Sequence, residues 1–343
     1  MKRSLDRVLS CSLMVGVGAL FPMTHAQNAT NLPAGTVRLL VTVRDNRGKI
    51  VSDLGKDDFV LTQDDRPQTL QSVEKNASGP LTLGVLFQTS QISPDTLDRE
   101  RSASHDFLDQ MLREDKDRAF IMHFDQDAEL LRDLTNSRDK LFNALGLLQS
   151  SGFEVGERPS RREPEETRDQ RPSGSVLYDA IYLACDEVLK SRRDRKALVV
   201  FSDGIDEGSK ETVGSAIEAA QDSDTVIYTI LVKNEPEARR GLPGGMGRGG
   251  SGPPERPHPD ARKVLQQISK ETGGEFFDAG KKQTGQGIYA AIEEDLRHEY
   301  GLSYTPEISG DWSGLHKIVL TTKRSDLVVH VKEGFHSEKS PSP

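Results

Sequence analysis

The hydrophobic pattern changes character twice along the chain. From Thr36 to Ser72 apolar and polar residues take turns: Val37, Leu39, Val41 and Val43 fall on one side of an extended segment. Asp45-Asn46-Arg47-Gly48 then makes a turn. Ile50-Val51 and Asp57 to Thr62 read as further strands, and Gln63 to Pro67 as a polar turn before Thr69 to Val73. Short strands joined in this way predict a small β-module.

From Leu81 the texture is different. Leu81 to Phe87 is apolar on both faces, as a central strand of a parallel sheet must be. A helical pattern follows from Pro94 to Leu112, with Phe107, Leu108, Met111 and Leu112 on its inner face. Arg118 to Phe124 and Ala128 to Leu134 read as strands close enough to form an antiparallel edge hairpin. Helices are predicted at Arg138–Leu148, Ser175–Leu189 and Lys210–Asp222. Apolar strands are predicted at Lys196–Phe201 and Thr225–Val232, and a short one at Glu275–Phe277. Helices at 261–272 and Gly285–Tyr300 complete the pattern. Strands alternating with helices predict an α/β, doubly wound, mostly parallel sheet. From Leu302 strand character returns, at Leu302–Tyr304, Lys317–Thr322 and Leu327–Val331. The β segments at the two ends pair as one module if the termini of the α/β insert lie close together.

Several stretches stand apart from the fold. Lys2, Arg3 and Arg7 precede an apolar run from Val8 to Phe21, and Thr24-His25-Ala26 supplies small residues for cleavage after Ala26. That is the pattern of a secretory signal, which implies a secreted or periplasmic protein. Cys11 lies within the apolar run rather than after it, which disfavours lipid anchoring. Residues 150–173 and 234–260 are rich in charge, glycine and proline and are expected to be disordered. The glycines near 241–252 sit too far past a strand, among prolines, to cradle a phosphate. The predicted layout is a signal at 1–26, an N-terminal β segment at 27–79, an α/β domain at 80–301, a C-terminal β segment at 302–336 and a tail at 337–343.

Charge and cysteine use narrow the function. Removing the signal takes away three basic residues and one acidic one, so the formal net charge of −9 becomes −11. Nucleic acid demands a basic footprint, so it is not an expected partner. Cys185 alone remains, on an apolar helical stripe with Leu177, Ile181 and Val188, and is expected to be a buried structural thiol.

Three polar clusters fall just past strands or before helices: Gln88-Thr89-Ser90-Gln91-Ile92-Ser93, Gly174-Ser175-Val176-Leu177-Tyr178-Asp179 and Phe201-Ser202-Asp203-Gly204. Ligands of open α/β sheets bind at such strand ends. With these clusters, their order and the hydrophobic pattern, residues 80–300 resemble the von Willebrand factor type A (VWA) family, particularly its exported bacterial members, which carry β segments at both ends. The resemblance implies a Rossmann-like fold and a function in protein–protein interaction or adhesion without catalysis. It also implies a metal-ion-dependent adhesion site (MIDAS), built from Asp-x-Ser-x-Ser, a Thr from a later loop and an Asp after the central strand. Hard oxygens of this kind suit Mg²⁺, and an acidic residue of a partner completes the shell.

Laid on this chain, the motif is degenerate. Gln88 stands for the first Asp, Ser90 matches the first serine, Ile92 replaces the second, and Ser93 comes one place late. Ser175 offers a hydroxyl for the Thr, and Asp203 matches the last acid. A metal here would rest on Ser90, Ser175 and Asp203, while Gln88 and Ser93 complete a ligand-binding rim. Two readings follow: a module that binds an unidentified protein partner without a cofactor, or one that needs Mg²⁺ as a clamp. Structural roles are the competing account, with Ser90 closing a turn, Ser175 capping a helix and Asp203-Gly204 ending a strand. Asp206 and Glu207 read as a solvated charge run. An enzyme using the crevice has least support. No Gly-x-Ser-x-Gly or His-Glu-x-x-His occurs, and none of the eight histidines falls in the clusters. His123 reads as a core or rim residue, His298 as a helix-surface residue and Trp312 as a packing residue.

Overall fold

Segments apolar on both faces become the middle of a sheet. The computed structural model describes residues 35–75, 79–151, 175–232, 260–279, 285–306 and 313–337. The predicted signal, the two expected open loops (apart from 150, 151 and 260), Gly174, Trp312 and most of the tail lie outside them. Strands β1 (Val37–Asp45), β2 (Phe59–Gln63), β3 (Arg66–Gln68) and β4 (Leu70–Lys75) come first. The α/β part follows as β5 (Leu81–Gln88), α1 (Pro94–Met111), β6 (Arg118–Phe124), β7 (Ala128–Thr135), α2 (Arg138–Leu145) and α3 (Leu177–Leu183, continued by a π-helical stretch, Ala184–Leu189). It goes on as β8 (Arg195–Ser202), α4 (Val213–Asp222), β9 (Thr225–Leu231), α5 (Ala261–Thr272), β10 (Phe276–Asp278) and α6 (Gly285–Arg297). The chain closes with β11 (Tyr300–Tyr304), β12 (Gly314–Thr322), β13 (Leu327–His330) and β14 (Gly334–Ser337).

The central sheet runs β10-β9-β8-β5-β6-β7 and is parallel except for β7, which pairs antiparallel with β6. Every residue of β5, β8 and β9 is buried, as strands covered by helices on both faces require. One face packs on α1, α2 and α6, the other on α3, α4 and α5. Gly84 lets β5 sit between its neighbours. A methyl group there would lie 2.3 Å from Phe120 and 2.4 Å from Leu198. The chain leaves β5 towards β6 on one side and returns through β8 on the other, so the topological switch lies between β5 and β8. The result is a doubly wound, mostly parallel sheet with an antiparallel edge strand.

The two ends of the chain share sheets. β1 lies between β11 and β13 with Leu39 opposite Leu302, and β2 pairs with β12 with Leu61 opposite Leu320. Two four-stranded sheets, β13-β1-β11-β4 and β14-β12-β2-β3, enclose one core of Leu39, Val41, Phe59, Leu61, Tyr300 and Tyr304. Ile50-Val51 does not form the strand expected of it: Ile50 makes a single bridge to Arg44, and Val51 accepts a 2.9 Å hydrogen bond from the Tyr300 hydroxyl. Arg44 ties this layer to the α/β part, 2.5 Å from Asp295 and 3.6 Å from both Glu275 and Glu294. Arg195 meets Glu299 at 2.9 Å. Both arginines are buried, which only paired guanidinium groups tolerate.

Candidate functional site at the strand-end rim

The loops after β5, β6 and β8 meet at one rim, beside the switch point. Gln88, the last residue of β5, is 3% exposed and points across to β8. Its Oε1 accepts from Ser202 Oγ at 2.7 Å and from the Asp203 amide at 3.1 Å, while its Nε2 donates to the Ser90 carbonyl at 3.1 Å. Ser202 Oγ in turn accepts from the Gly204 amide at 2.9 Å. The amide oxygen thus braces one strand end against the other, while the amide nitrogen fixes the turn after β5. A carboxylate could not make the bond to the Ser90 carbonyl.

The other residues of the first cluster divide into structural roles. Ile92 is 2% exposed and belongs to the core under α1. Ser93 is the N-cap of α1, accepting from the Thr96 amide at 3.2 Å, with Pro94 at the first helical position. Its displacement by one place from the family motif therefore has a local cause: it starts the helix. Gln91 takes a left-handed conformation at φ 57°, which reverses the chain between strand and helix. Ser90 forms a bridge with Ser151, and its own hydroxyl is buried without a hydrogen-bond partner.

Ser175 does not cap α3. The N-cap is Val176, whose side chain has no acceptor, and Ser175 Oγ donates instead to the Ile205 carbonyl at 2.7 Å. The helix start is capped from the loop after β8. Asp206 Oδ1 accepts from the Tyr178 amide at 3.1 Å and from Ser209 Oγ at 2.6 Å, and Ser209 Oγ accepts from the Asp179 amide at 3.1 Å. Asp206 is thus a half-buried cap rather than part of a solvated charge run, and burial raises its carboxyl above the ordinary range. Asp179 returns the favour by accepting from the Lys210 and Glu211 amides at 2.9 and 2.8 Å. Asp203 Oδ1 is taken by the Ile205 amide at 2.9 Å, and Gly204 follows at φ +78°. A methyl group on Gly204 would lie 2.6 Å from the Ala261 carbonyl, so α5 is seated directly on this turn.

Two rim residues carry no signal in the sequence. Asp125, after β6, accepts from Ser151 Oγ at 3.0 Å, and its carbonyl accepts from the Val176 amide at 2.9 Å. Ser151 closes the ring, donating its amide to the Thr89 carbonyl at 2.9 Å and accepting from the Gln91 amide at 3.1 Å. Gln88, Ser90, Ser175 and Asp203 are therefore connected through one chain of hydrogen bonds, with Ser93 set back at the helix start. No general pattern marks Asp125 and Ser151, because the contacts join loops distant in sequence. His123 stands at the edge of this ring, 3.3 Å from both Thr89 Oγ1 and Glu129 Oε2.

Away from the rim, His316 joins Asp64 at 2.8 Å and Ser337 at 3.0 Å, a serine–histidine–aspartate line that the spacing in sequence conceals. It lies within the wall of the β-layer. His316 is 9% exposed and packs on Phe335, and the other Asp64 oxygen accepts from the Lys317 amide at 2.8 Å. Cys185 is fully buried, as its stripe predicts, and burial pushes its thiol up to about 12.

No family model matches the chain, and no curated protein matches it. Solved structures do. Proximal thread matrix protein 1 from the mussel byssus, solved with a zinc-occupied MIDAS motif, is 12% identical over 69% of this chain and 50% of that one, at a TM-score of 0.44. The chain thus spans half of the byssus protein. A conserved hypothetical protein, BatB, from Bacteroides thetaiotaomicron is 15% identical over 63% and 99%, at 0.42. The SpRpn10 VWA domain is 13% identical over 60% and 92%, at 0.38.

Proposed function

We propose that this chain is a non-enzymatic protein-interaction module that engages its partner through the rim of the central sheet and does so without a resident metal. The observation that carries this reading is the side chain of Gln88. It fills the place where the resemblance puts a metal-binding carboxylate, and its oxygen accepts two hydrogen bonds from the end of β8 while its nitrogen holds the Ser90 carbonyl of its own loop. A divalent cation needs several hard oxygens able to turn towards it. Here the uncharged Gln88 oxygen already accepts two hydrogen bonds, one Asp203 oxygen is held by an amide, and Ile92 contributes no oxygen. Ser90 Oγ is the one hydroxyl of the set with no hydrogen-bond partner. That donor set does not fit Mg²⁺.

The absence of a cation's charge bears on the partner. Asp127 and Glu207 stand exposed beside half-buried Asp125, Asp203 and Asp206, so the rim is acidic. An acidic partner residue, of the kind a bound divalent ion would recruit, is repelled there. The rim favours a partner that presents lysine, arginine or backbone amides. Export through the predicted signal belongs to the same reading. Among the described residues no helix is long and apolar enough to cross a membrane.

Two measurements test it. The melting temperature in EDTA should match that in Mg²⁺ or Mn²⁺, since a ligand that binds only the native state raises the midpoint. Capture of a partner from an exported fraction should proceed equally in EDTA and Mg²⁺ and fail when Asp127 and Glu207 are both changed to lysine. A concentration-dependent rise with Mg²⁺, or capture that requires it, would overturn the metal-free reading.

A further inference from the structure

A second group of metal-ligating side chains lies away from the rim, where the last strand meets the α/β part. Glu218 and Asp222 stand one turn apart in the C-terminal half of α4, and β14 packs on that helix and carries His336. His336 Nε2 is 3.3 Å from Glu218 Oε1, and its Nδ1 is 3.7 Å from Asp222 Oδ1. One donor atom from each of the three residues lies within 4.8 Å of the others. A tetrahedral metal with bonds of about 2.0–2.2 Å holds its ligand atoms about 3.3–3.5 Å apart. The two shorter contacts involve different ring nitrogens, only one of which can take a given ion, so one exposed carboxylate must swing towards the nitrogen that the other faces.

Three features distinguish this cluster from an incidental ion pair. Two carboxylates four residues apart on one helix face repel each other. Asp222 also ends α4, where the free carbonyls of the helix favour positive charge and disfavour a carboxylate. Of the basic groups that act on Asp222, Lys190 is held by Asp186 at 2.6 Å, which leaves His336 itself. Finally, His336 Nδ1 is shielded from solvent and has no hydrogen-bond partner. A polar atom buried in that condition costs stability unless something else occupies it. Glu218 and His336 also line a groove of about 1130 Å³ between α4, α5 and β12, which gives a hydrated ion a route in.

We propose that Glu218, Asp222 and His336 form a Zn²⁺ site, distinct from the strand-end rim. One imidazole and two carboxylates are a mixed nitrogen and oxygen set, which suits Zn²⁺ better than Mg²⁺. Three protein ligands leave a fourth position for water. Because the ligands come from a helix of the α/β part and from the last strand of the β-layer, the ion clips β14 to α4.

The test is calorimetric titration of the untagged chain with ZnCl₂ and then with MgCl₂, together with the visible absorption of the Co²⁺ complex. The expected result is one Zn²⁺ per chain, a higher melting temperature with Zn²⁺ but not Mg²⁺, and Co²⁺ bands of a low-coordinate site. His336→Gln should weaken binding about tenfold or more. Glu218→Gln with Asp222→Asn should do the same, and both substitutions are on the surface and leave the far-UV spectrum intact. His336→Gln leaves seven of the eight histidines in place. Zinc binding that survives both variants belongs to stray ligands and overturns the proposal, as does the absence of binding at about 100 µM Zn²⁺.

Discussion

Replacing Gln88 by leucine tests whether the brace between β5 and β8 is what organises the rim. The two side chains are close in size, so no large cavity forms and the change is one of hydrogen bonding. Ser202 Oγ is fully buried and loses the acceptor of its proton, keeping only the bond it receives from Gly204. The Ser90 carbonyl, in a residue 7% exposed, loses its donor, and the Asp203 amide loses its acceptor but is half exposed and can reach water. Each buried group left unpaired costs about 1–3 kcal/mol, and leucine recovers about 1 kcal/mol of hydrophobic burial. The net loss should be about 1–5 kcal/mol, read from urea unfolding with an unchanged m-value. Ser202→Ala alone should cost about 1 kcal/mol, and the double variant less than the sum, because both remove the same bond. A loss below about 0.5 kcal/mol, or strict additivity, would refute the idea that the amide holds the strand ends together.

Two further outcomes follow from other groups. Gly204→Ala places a methyl group 2.6 Å from the Ala261 carbonyl at φ +78°, so it should lower stability by about 2–3 kcal/mol and reduce partner capture by displacing the rim turn. Glu100 is buried on α1, and burial raises its carboxyl from its ordinary 4.5 to about 7. Below pH 4.5 it is protonated in both folded and unfolded chains and costs nothing; between 4.5 and 7 the unfolded chain ionises first, so stability falls as pH rises through that window. The full penalty above pH 7 is about 3 kcal/mol. Glu100→Gln should therefore be more stable than the parent at pH 7.5 by about that amount and equal to it at pH 4, in paired thermal melts.

Much of this fold was legible because its signals are local. Leu81 to Phe87 and Lys196 to Phe201 are apolar on both faces, and only a strand covered on two sides accommodates them. The β6–β7 hairpin and the inner face of α1 were equally plain. At the rim, legibility ended where loops from different parts of the chain combine. Ser93 could be read as misplaced, but its capping bond shows why it stands where it does. Ser175 looked like a cap because its type and position fit, yet Val176 holds that place and Asp206, on another loop, supplies the acceptor. Asp206 carried the same charge signal as a solvated acid, and only the nearby amides of α3 distinguish the two. Ile50-Val51 had strand composition, but it meets the edge of β1 only through one bridge and the bond from the Val51 amide to the Val43 carbonyl. The meeting of His336 with Glu218 and Asp222 had no local signature, since the residues are far apart in the chain.

The pairing of β1 with β11 and of β2 with β12 has a consequence for biogenesis. β1 has no strand partner, and β2 none but β3, until β11 and β12 have appeared, so for most of synthesis they present open edges and apolar faces. Contacts so distant in sequence close slowly, and exposed edges recruit other chains. The α/β insert has all its strands before β11 and β12 appear and can form ahead of them, which makes arrival of β11 and β12 the step that commits the molecule. A chain cut short before Gly314 would keep its central sheet and leave one edge of β2 open, and aggregation rather than simple loss of binding is the outcome to look for.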